Sequence, residues 1–273
     1  MERAFFEAEG LRCEYAVFGS GEKVVVAFHG FGREAGDFEQ FTSALEHDER
    51  FISINLFQHG NSQWPSERAL TDSLKKNEHA KFFQAFLGHL GVERFSLFAY
   101  SLGGKIAMQT CLLMPAQIDK MLLIAPDGLK VNRFYRFIVG TSLGRNLFSF
   151  TVSNPSFLLR SADIAFKLKL IHAKLHRFVY VHMDSEEKRK QVYETWLIYR
   201  HFVPNLDELA LQLNQRKIDF TLLIGKHDSV IKAKDAKRFA QRLDTSDAVI
   251  EIEAGHQLMN PEVVNFIRTQ QIW

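Results

Sequence analysis

Apolar runs alternate along this chain with stretches of helical spacing, and the alternation is interrupted once. Leu11–Phe18 reads as a strand, and Gly19-Ser20-Gly21 turns the chain into Lys23–Phe28. That second run is continuous and rich in valine, as in a strand covered on both faces. Phe51–Leu56 is a third strand. Asn77–Leu90 carries Phe82, Phe83, Phe86 and Leu90 at helical spacing, with Gly91 placed to cap the C-terminus. Arg94–Phe98 reads as the next strand, Lys105–Gln109 continues as a helix, and Lys120–Ala125 is a further buried strand closed by Pro126-Asp127-Gly128.

After Gly128 the rhythm changes. From there to about Gln215 the pattern predicts helices alone. Ile164, Leu168, Ile171, Leu175 and Phe178 mark one face of a helix, which Asn154-Pro155 opens as N-cap and first-turn proline. Asp184 followed by Glu187 resembles a capping box ahead of another helix, with Val192, Trp196 and Tyr199 on one face. Strands resume at Phe220–Gly225 and Ala248–Ile252, and a helix from Pro261 through Val264 to Ile267 closes the chain.

Strands alternating with helices predict the α/β class, with a mostly parallel, doubly wound sheet. The expected division is a core of residues 1–128 and 216–273 and an all-helical cap, 129–215, inserted after the sixth core strand. Such a cap would lie over the sheet's carboxyl edge, where ligands bind in sheets of this kind.

Composition changes this picture little. The chain has 273 residues, 46% hydrophobic and 24% charged, enough for a full core. Its 25 phenylalanines leave apolar area for both a core and a greasy pocket, and a net charge of +2 singles out no partner. Met1–Gly10 carries acids where a secretory signal would be uninterruptedly apolar, and no apolar run is long enough to span a bilayer. A cytoplasmic location is expected. Cys13 and Cys111 lack metal-ligand spacing and need not pair; Cys111, in an apolar helix, reads as a small buried filler.

The most informative chemistry lies between a strand and a helix. In Ala99-Tyr100-Ser101-Leu102-Gly103-Gly104, small residues stand two before and two after a serine. A sharp strand-to-helix turn of this pattern lifts the serine oxygen above the sheet and leaves the Leu102 amide at a helix N-terminus to meet developing negative charge. His29-Gly30-Phe31-Gly32 follows the first long buried strand; its glycines allow close backbone approach, and the Phe31 amide is the candidate second donor. His29 itself reads as a hydrogen-bonded structural residue. Gly225-Lys226-His227-Asp228 follows the penultimate strand, where an acid can orient an imidazole; Asp127 is the rival acid. Glu253-Ala254-Gly255-His256-Gln257 follows the last strand and puts a histidine on a loop at the same edge. The chain order Ser101, Asp228, His256 agrees with that arrangement.

On these segments the chain resembles the α/β-hydrolase-fold family over nearly its whole length. Gln58-His59-Gly60-Asn61-Ser62 also matches the family's loop after the third strand, although Asn55 stands where that loop usually begins with aspartate. The resemblance implies Ser101 as nucleophile, His256 as base and Asp228 as the acid orienting it, with an oxyanion hole from the Phe31 and Leu102 amides. It implies no metal or organic cofactor. A serine at position 101 argues against haloalkane dehalogenase and epoxide hydrolase chemistry, which in similar proteins uses an aspartate there. The leading expectation is a carboxylic-ester hydrolase for a small or medium acyl substrate. Carbon–carbon bond hydrolysis or a lyase step on a keto acid is the alternative, and a non-catalytic ligand-binding protein is a third.

The helical stretch adds one clue about partners. Gly128–Met183 contains nine Lys or Arg against the single acid Asp163, so the rest of the chain is net acidic. Phenylalanines interleave with these cations. Three readings stay open: steering of an anionic, partly apolar small-molecule substrate, a basic amphipathic surface on anionic lipid, or a solvated outer face. No recognition motif accompanies the charge, so nucleic acid is not expected. Oligomeric state is left open.

Overall fold

The first element is one that the hydrophobic pattern does not reveal. In a computed structural model that describes residues 1–44, 48–70, 72–171, 173–183, 185–245 and 247–273, Glu2–Ala8 forms β1. It pairs antiparallel with β2, Leu11–Phe18, at the edge of an eight-stranded sheet. Its exposed alternate positions dilute the apolar signal, as at an edge strand open to solvent. Next come β3, Lys23–Phe28, a 3-10 segment over Ala35–Ala44, and β4, Glu49–Ile54. Helix α1, Lys76–His89, ends with Gly91 at φ 66°, the left-handed cap expected from the sequence.

β5, Phe95–Tyr100, runs into α2, Leu102–Leu113, and β6 is Ile118–Ile124. Because β1 adds a strand, the helical stretch follows the sixth strand in chain order. Its helices are α3, Arg133–Gly140; α4, Ser142–Ser153; α5, Pro155–Lys167; α6, Ala173–His182; and α7, Glu186–Ile198. After them α8, Leu206–Arg216, β7, Asp219–Gly225, α9, Ala233–Ala240, β8, Val249–Ile252, and α10, Pro261–Thr269, complete the fold.

The strand order is β1-β2-β4-β3-β5-β6-β7-β8, antiparallel through β1, β2 and β4 and parallel from β4 to β8. Side chains alternate across each strand, so both faces need a cover. On one face Phe98 packs with Phe38 and Phe41 of the 3-10 segment, Phe51 of β4 and Trp273. On the other, Phe28 meets Phe83 of α1, and Tyr15 meets Phe86. Much of the phenylalanine content is therefore spent on holding helices to the sheet. Cys13 and Cys111 are buried free thiols, each pushed up to about 12 by burial. Among the described residues no helix is long and apolar enough to cross a membrane.

Two compact units divide the chain. The first comprises Met1–Ser66, Lys75–Lys130 and Phe202–Trp273; the second comprises Glu67–Leu74 and Val131–His201. The second unit therefore ends earlier than the expected boundary near 215. Leu209, Ala210 and Leu213 of α8 are buried, and the helix packs on α2 in the first unit. The short stretch 67–74 joins the second unit through backbone contacts that no local pattern announces. Leu74 N–H donates to Ile198 O (3.1 Å), and the Arg200 guanidinium donates to Leu70 O (3.3 Å).

Inside the second unit, Phe148 packs against Tyr193 and Trp196, and Tyr135 against Trp196. Arg189 is buried and donates to the carbonyls of Val152 (3.0 Å) and Met183 (3.2 Å), satisfying exposed helix ends. The expected single helix through Ile164, Leu168, Ile171, Leu175 and Phe178 is in fact two. Lys169 adopts φ 56°, its N–H bonds Phe166 O, and Leu170 N–H bonds Ala165 O, a Schellman ending in which lysine takes glycine's usual place. Leu175 and Phe178 fall in α6, and their side chains lie outside those described. Asn154 does precede α5, yet its side chain donates to Phe150 O (2.9 Å) rather than capping the helix. Asp184 lies outside the described residues; the N-cap of α7 is Ser185, whose hydroxyl accepts from Lys188 N–H (3.2 Å).

Candidate active site

Ser101 stands between β5 and α2 with φ 49° and ψ −116°, a conformation that L side chains rarely adopt. Three backbone hydrogen bonds hold it there. Its N–H donates to Ile124 O (3.0 Å), and its carbonyl accepts from Gly104 N–H and Asp127 N–H (both 2.8 Å). Small neighbours make the turn feasible. A Cβ on Gly103 would lie 2.0 Å from the Phe28 carbonyl oxygen, and Ala99 is fully buried. As the first residue of α2, Leu102 carries an N–H with no intrahelical acceptor, at the positive end of the helix.

The loop after β3 comes close to this turn. A Cβ on Gly30 would lie 2.7 Å from the Tyr100 ring and 3.2 Å from Ser101 Cβ, which sets the backbone leading into Phe31 beside the serine. Two neutral imidazoles brace that loop. His29 donates from Nδ1 to Gly30 O (2.8 Å) and accepts Leu56 N–H at Nε2 (3.0 Å). Burial, with the neighbouring His59, lowers its pKa to about 3. His59 accepts Gly32 N–H at Nε2 (3.1 Å), donates from Nδ1 to Phe57 O (3.2 Å), and is lowered to about 4, again chiefly by burial. His29 is thus structural, as expected, and His59 shares the task.

Asp228 sits beyond β7 with its carboxylate fully enclosed. Oδ1 accepts from Val230 N–H (2.7 Å) and Ile231 N–H (2.9 Å), and Oδ2 accepts from His256 Nδ1 (2.7 Å). With its proton on Nδ1, His256 presents Nε2 to Ser101 Oγ at 3.0 Å. The backbone of His256 is anchored by Tyr100, whose hydroxyl donates to His256 O (2.9 Å); burial raises that phenol to about 12, keeping it a donor. The structure therefore brings Ser101, His256 and Asp228 into one hydrogen-bonded line, with the Leu102 N–H and the Gly30 backbone beside the serine. Asp127, the rival acid, is engaged elsewhere: it accepts from Gly128 N–H (2.8 Å) and pairs with Lys105 (3.5 Å). His227 is exposed and bonds Glu253.

Residues 23–161 match the α/β hydrolase fold family. The chain belongs to that family. Two curated relatives of this α/β-hydrolase-fold chain are dihydrolipoyllysine-residue acetyltransferase components of acetoin cleaving systems. That of Pseudomonas putida is 23% identical over 268 residues, covering 92% of this chain and 65% of the relative. That of Cupriavidus necator is 27% identical over 124 residues, covering 45% of this chain and 32% of the relative. These matches span less than two thirds of those relatives' own length. Among solved structures, an α/β hydrolase fold protein from Burkholderia ambifaria superposes with a TM-score of 0.69 at 14% identity, covering 99% of this chain and 97% of that one. Such low identity speaks for the fold alone.

One supporting residue escaped the sequence reading. Glu14, in β2, is buried, and its carboxylate accepts from the side chains of Asn55 and Asn61 (2.9 Å for the latter) and from Asn61 N–H (3.1 Å), with Arg3 alongside (3.4 Å). Asn55 in turn accepts Ala35 N–H (2.6 Å). The Glu14 carboxylate thus reaches Asn55 from the neighbouring strand. An acid between Cys13 and Tyr15, at a position where the alternation of the strand is broken by a run of buried residues, was the available signal.

Burial works to raise the Glu14 pKa, but the hydrogen bonds from Asn61 and Asn55 and the charge of Arg3 outweigh it, and the net shift is downward. A depressed folded-state pKa stabilises the protein above the usual carboxylate range, and the gain is lost as pH falls through the folded value. Glu14→Gln is expected to destabilise by about 1–3 kcal/mol at neutral pH, because one of the two accepting oxygens becomes an NH2 group that faces asparagine donors and the charge is lost. Thermal unfolding should show the gap between wild type and variant closing on acidification below about pH 4.

Proposed function

We propose that this protein is a serine hydrolase that cleaves a carboxylic ester of small or medium acyl chain through an acyl-enzyme. Ser101 Oγ attacks the ester carbonyl while His256 Nε2 takes its proton, and Asp228 holds the ring and stabilises its charged form. Negative charge on the carbonyl oxygen is met by the amides of Leu102 and Phe31. As the intermediate collapses, His256 returns the proton to the alcohol oxygen, which leaves. Water, deprotonated by His256, then attacks the acyl carbon, and Ser101 is regenerated with release of the acid.

The observation that carries this reading is the pair of distances at His256, 3.0 Å to Ser101 Oγ and 2.7 Å to the enclosed carboxylate of Asp228. Serine is a weak nucleophile unless a base lies within hydrogen-bond reach and is itself oriented by a third group. Membership of the α/β hydrolase fold family supports the reading. A fluorophosphonate probe tests it directly. Wild-type protein should be labelled at Ser101, and His256→Ala should lose labelling while remaining folded at the assay temperature. A folded wild type that resists the probe, or a His256→Ala variant labelled at the wild-type rate, refutes the proposal.

A further inference from the structure

The second unit exposes apolar side chains in an ordered arrangement. In α4, Leu143, Leu147 and Phe150 recur at i, i+4 and i+7, and all three are exposed, Leu143 to 70%. In α5, Phe157 and Ile164, followed by Leu168 at the cap, recur at i, i+7 and i+11, again exposed. The 3.6-residue repeat places each set on one helix face. The Phe150 and Phe157 rings, 5.2 Å apart, join the two faces into one. Exposed apolar residues of the first unit, such as Met1, Phe5 and Val230, are by contrast separated along the chain. Scattered apolar side chains need no explanation, whereas a continuous face does.

Charge says what covers it. Arg160 and Lys167 share the α5 face by their spacing, and Lys169 follows at the helix end. Asp163, the one acid of Gly128–Met183, is turned to α6, where it accepts from His176 (2.8 Å) and Tyr180 (2.9 Å). We propose that the joined α4–α5 face docks on an anionic lipid bilayer, its leucines and phenylalanines entering the headgroup boundary and Arg160, Lys167 and Lys169 meeting lipid phosphates. Helices that lie in a membrane interface combine these two features, an apolar face and flanking cations. A second copy of the chain fits less well, because a two-fold contact would set the same cations against each other.

Co-sedimentation with vesicles tests this on the whole protein. Wild type should pellet with phosphatidylcholine vesicles containing phosphatidylglycerol and stay in solution with phosphatidylcholine alone, and high salt should release it. Arg160→Glu with Lys167→Glu should weaken the partition by roughly tenfold or more. Phe150→Asp with Phe157→Asp should abolish it. In both variants hydrolysis of a water-soluble ester should stay at the wild-type rate, which separates this surface from the proposed chemistry. If the aspartate variant fails to fold, the exposed charge reversal decides the matter. No pelleting with anionic vesicles overturns the proposal, as does equal pelleting of wild type and charge reversal. A wild-type dimer dissociated by Phe157→Asp, with no vesicle binding, assigns the face to a second copy instead.

Discussion

Replacing Ser101 by alanine is expected to lower kcat on an activated ester by about 10^5-fold or more, with KM little changed. That corresponds to roughly 7 kcal/mol of barrier, larger than any other single effect anticipated for this chain. The reason is that Oγ is the one protein atom that would bond to the acyl carbon, while His256 moves protons and Asp228 acts through His256. A residual rate above that in water should survive, from the backbone donors and from substrate binding. Turnover by Ser101→Ala at a tenth of the wild-type rate would be enough to sink the acyl-enzyme mechanism.

Backbone strain supplies a second readout at the same position. With φ at 49° and ψ at −116°, residue 101 occupies a region that glycine tolerates and alanine does not. Ser101→Gly should therefore be more stable than Ser101→Ala by about 1 kcal/mol, although both are inactive. Equal unfolding temperatures for the two variants would mean that the turn relaxes once the hydroxyl is gone.

Phe98→Ala is expected to cost about 3–5 kcal/mol of stability, the largest structural effect. Phe98 is almost fully buried and touches Phe38 and Phe41 of the 3-10 segment, Phe51 of β4 and Trp273, which belong to three separate stretches of chain. Removing its ring leaves a cavity between the sheet and the helices covering that face, and no neighbouring strand can move in to fill it. For a chain of this size the midpoint should fall by roughly 10 °C in calorimetry. At temperatures well below that midpoint ester turnover should persist, because β5 still delivers Ser101 to the same turn. A midpoint within a degree or two of wild type would show that the aromatic cluster repacks around the gap.

The site was legible early because its parts are local. Ser101 needs a sharp turn, and a sharp turn needs small residues at fixed offsets, so Ala99 and Gly103 mark it in the sequence. Asp228 and His256 each follow a short apolar run, which marks a strand end at a sheet edge. Choosing Asp228 over Asp127 was harder, since both follow strands. In the tertiary structure Asp127 pairs with Lys105, whereas Asp228 is enclosed against His256.

What the sequence determined by itself was therefore the α/β class, the parallel strands with unbroken apolar runs, and the placing of Ser101, Asp228 and His256 just beyond strand ends. Periodicity and turn chemistry are properties of neighbouring residues, and they act before any distant contact forms. What only the tertiary structure decided were the features that depend on partners remote in the chain. β1 exists because β2 lies beside it to take its hydrogen bonds. The stretch 67–74 belongs to the helical unit because Ile198 and Arg200 reach back to it. The Glu14 carboxylate meets Asn55, 41 residues away, because β2 and β4 are neighbours.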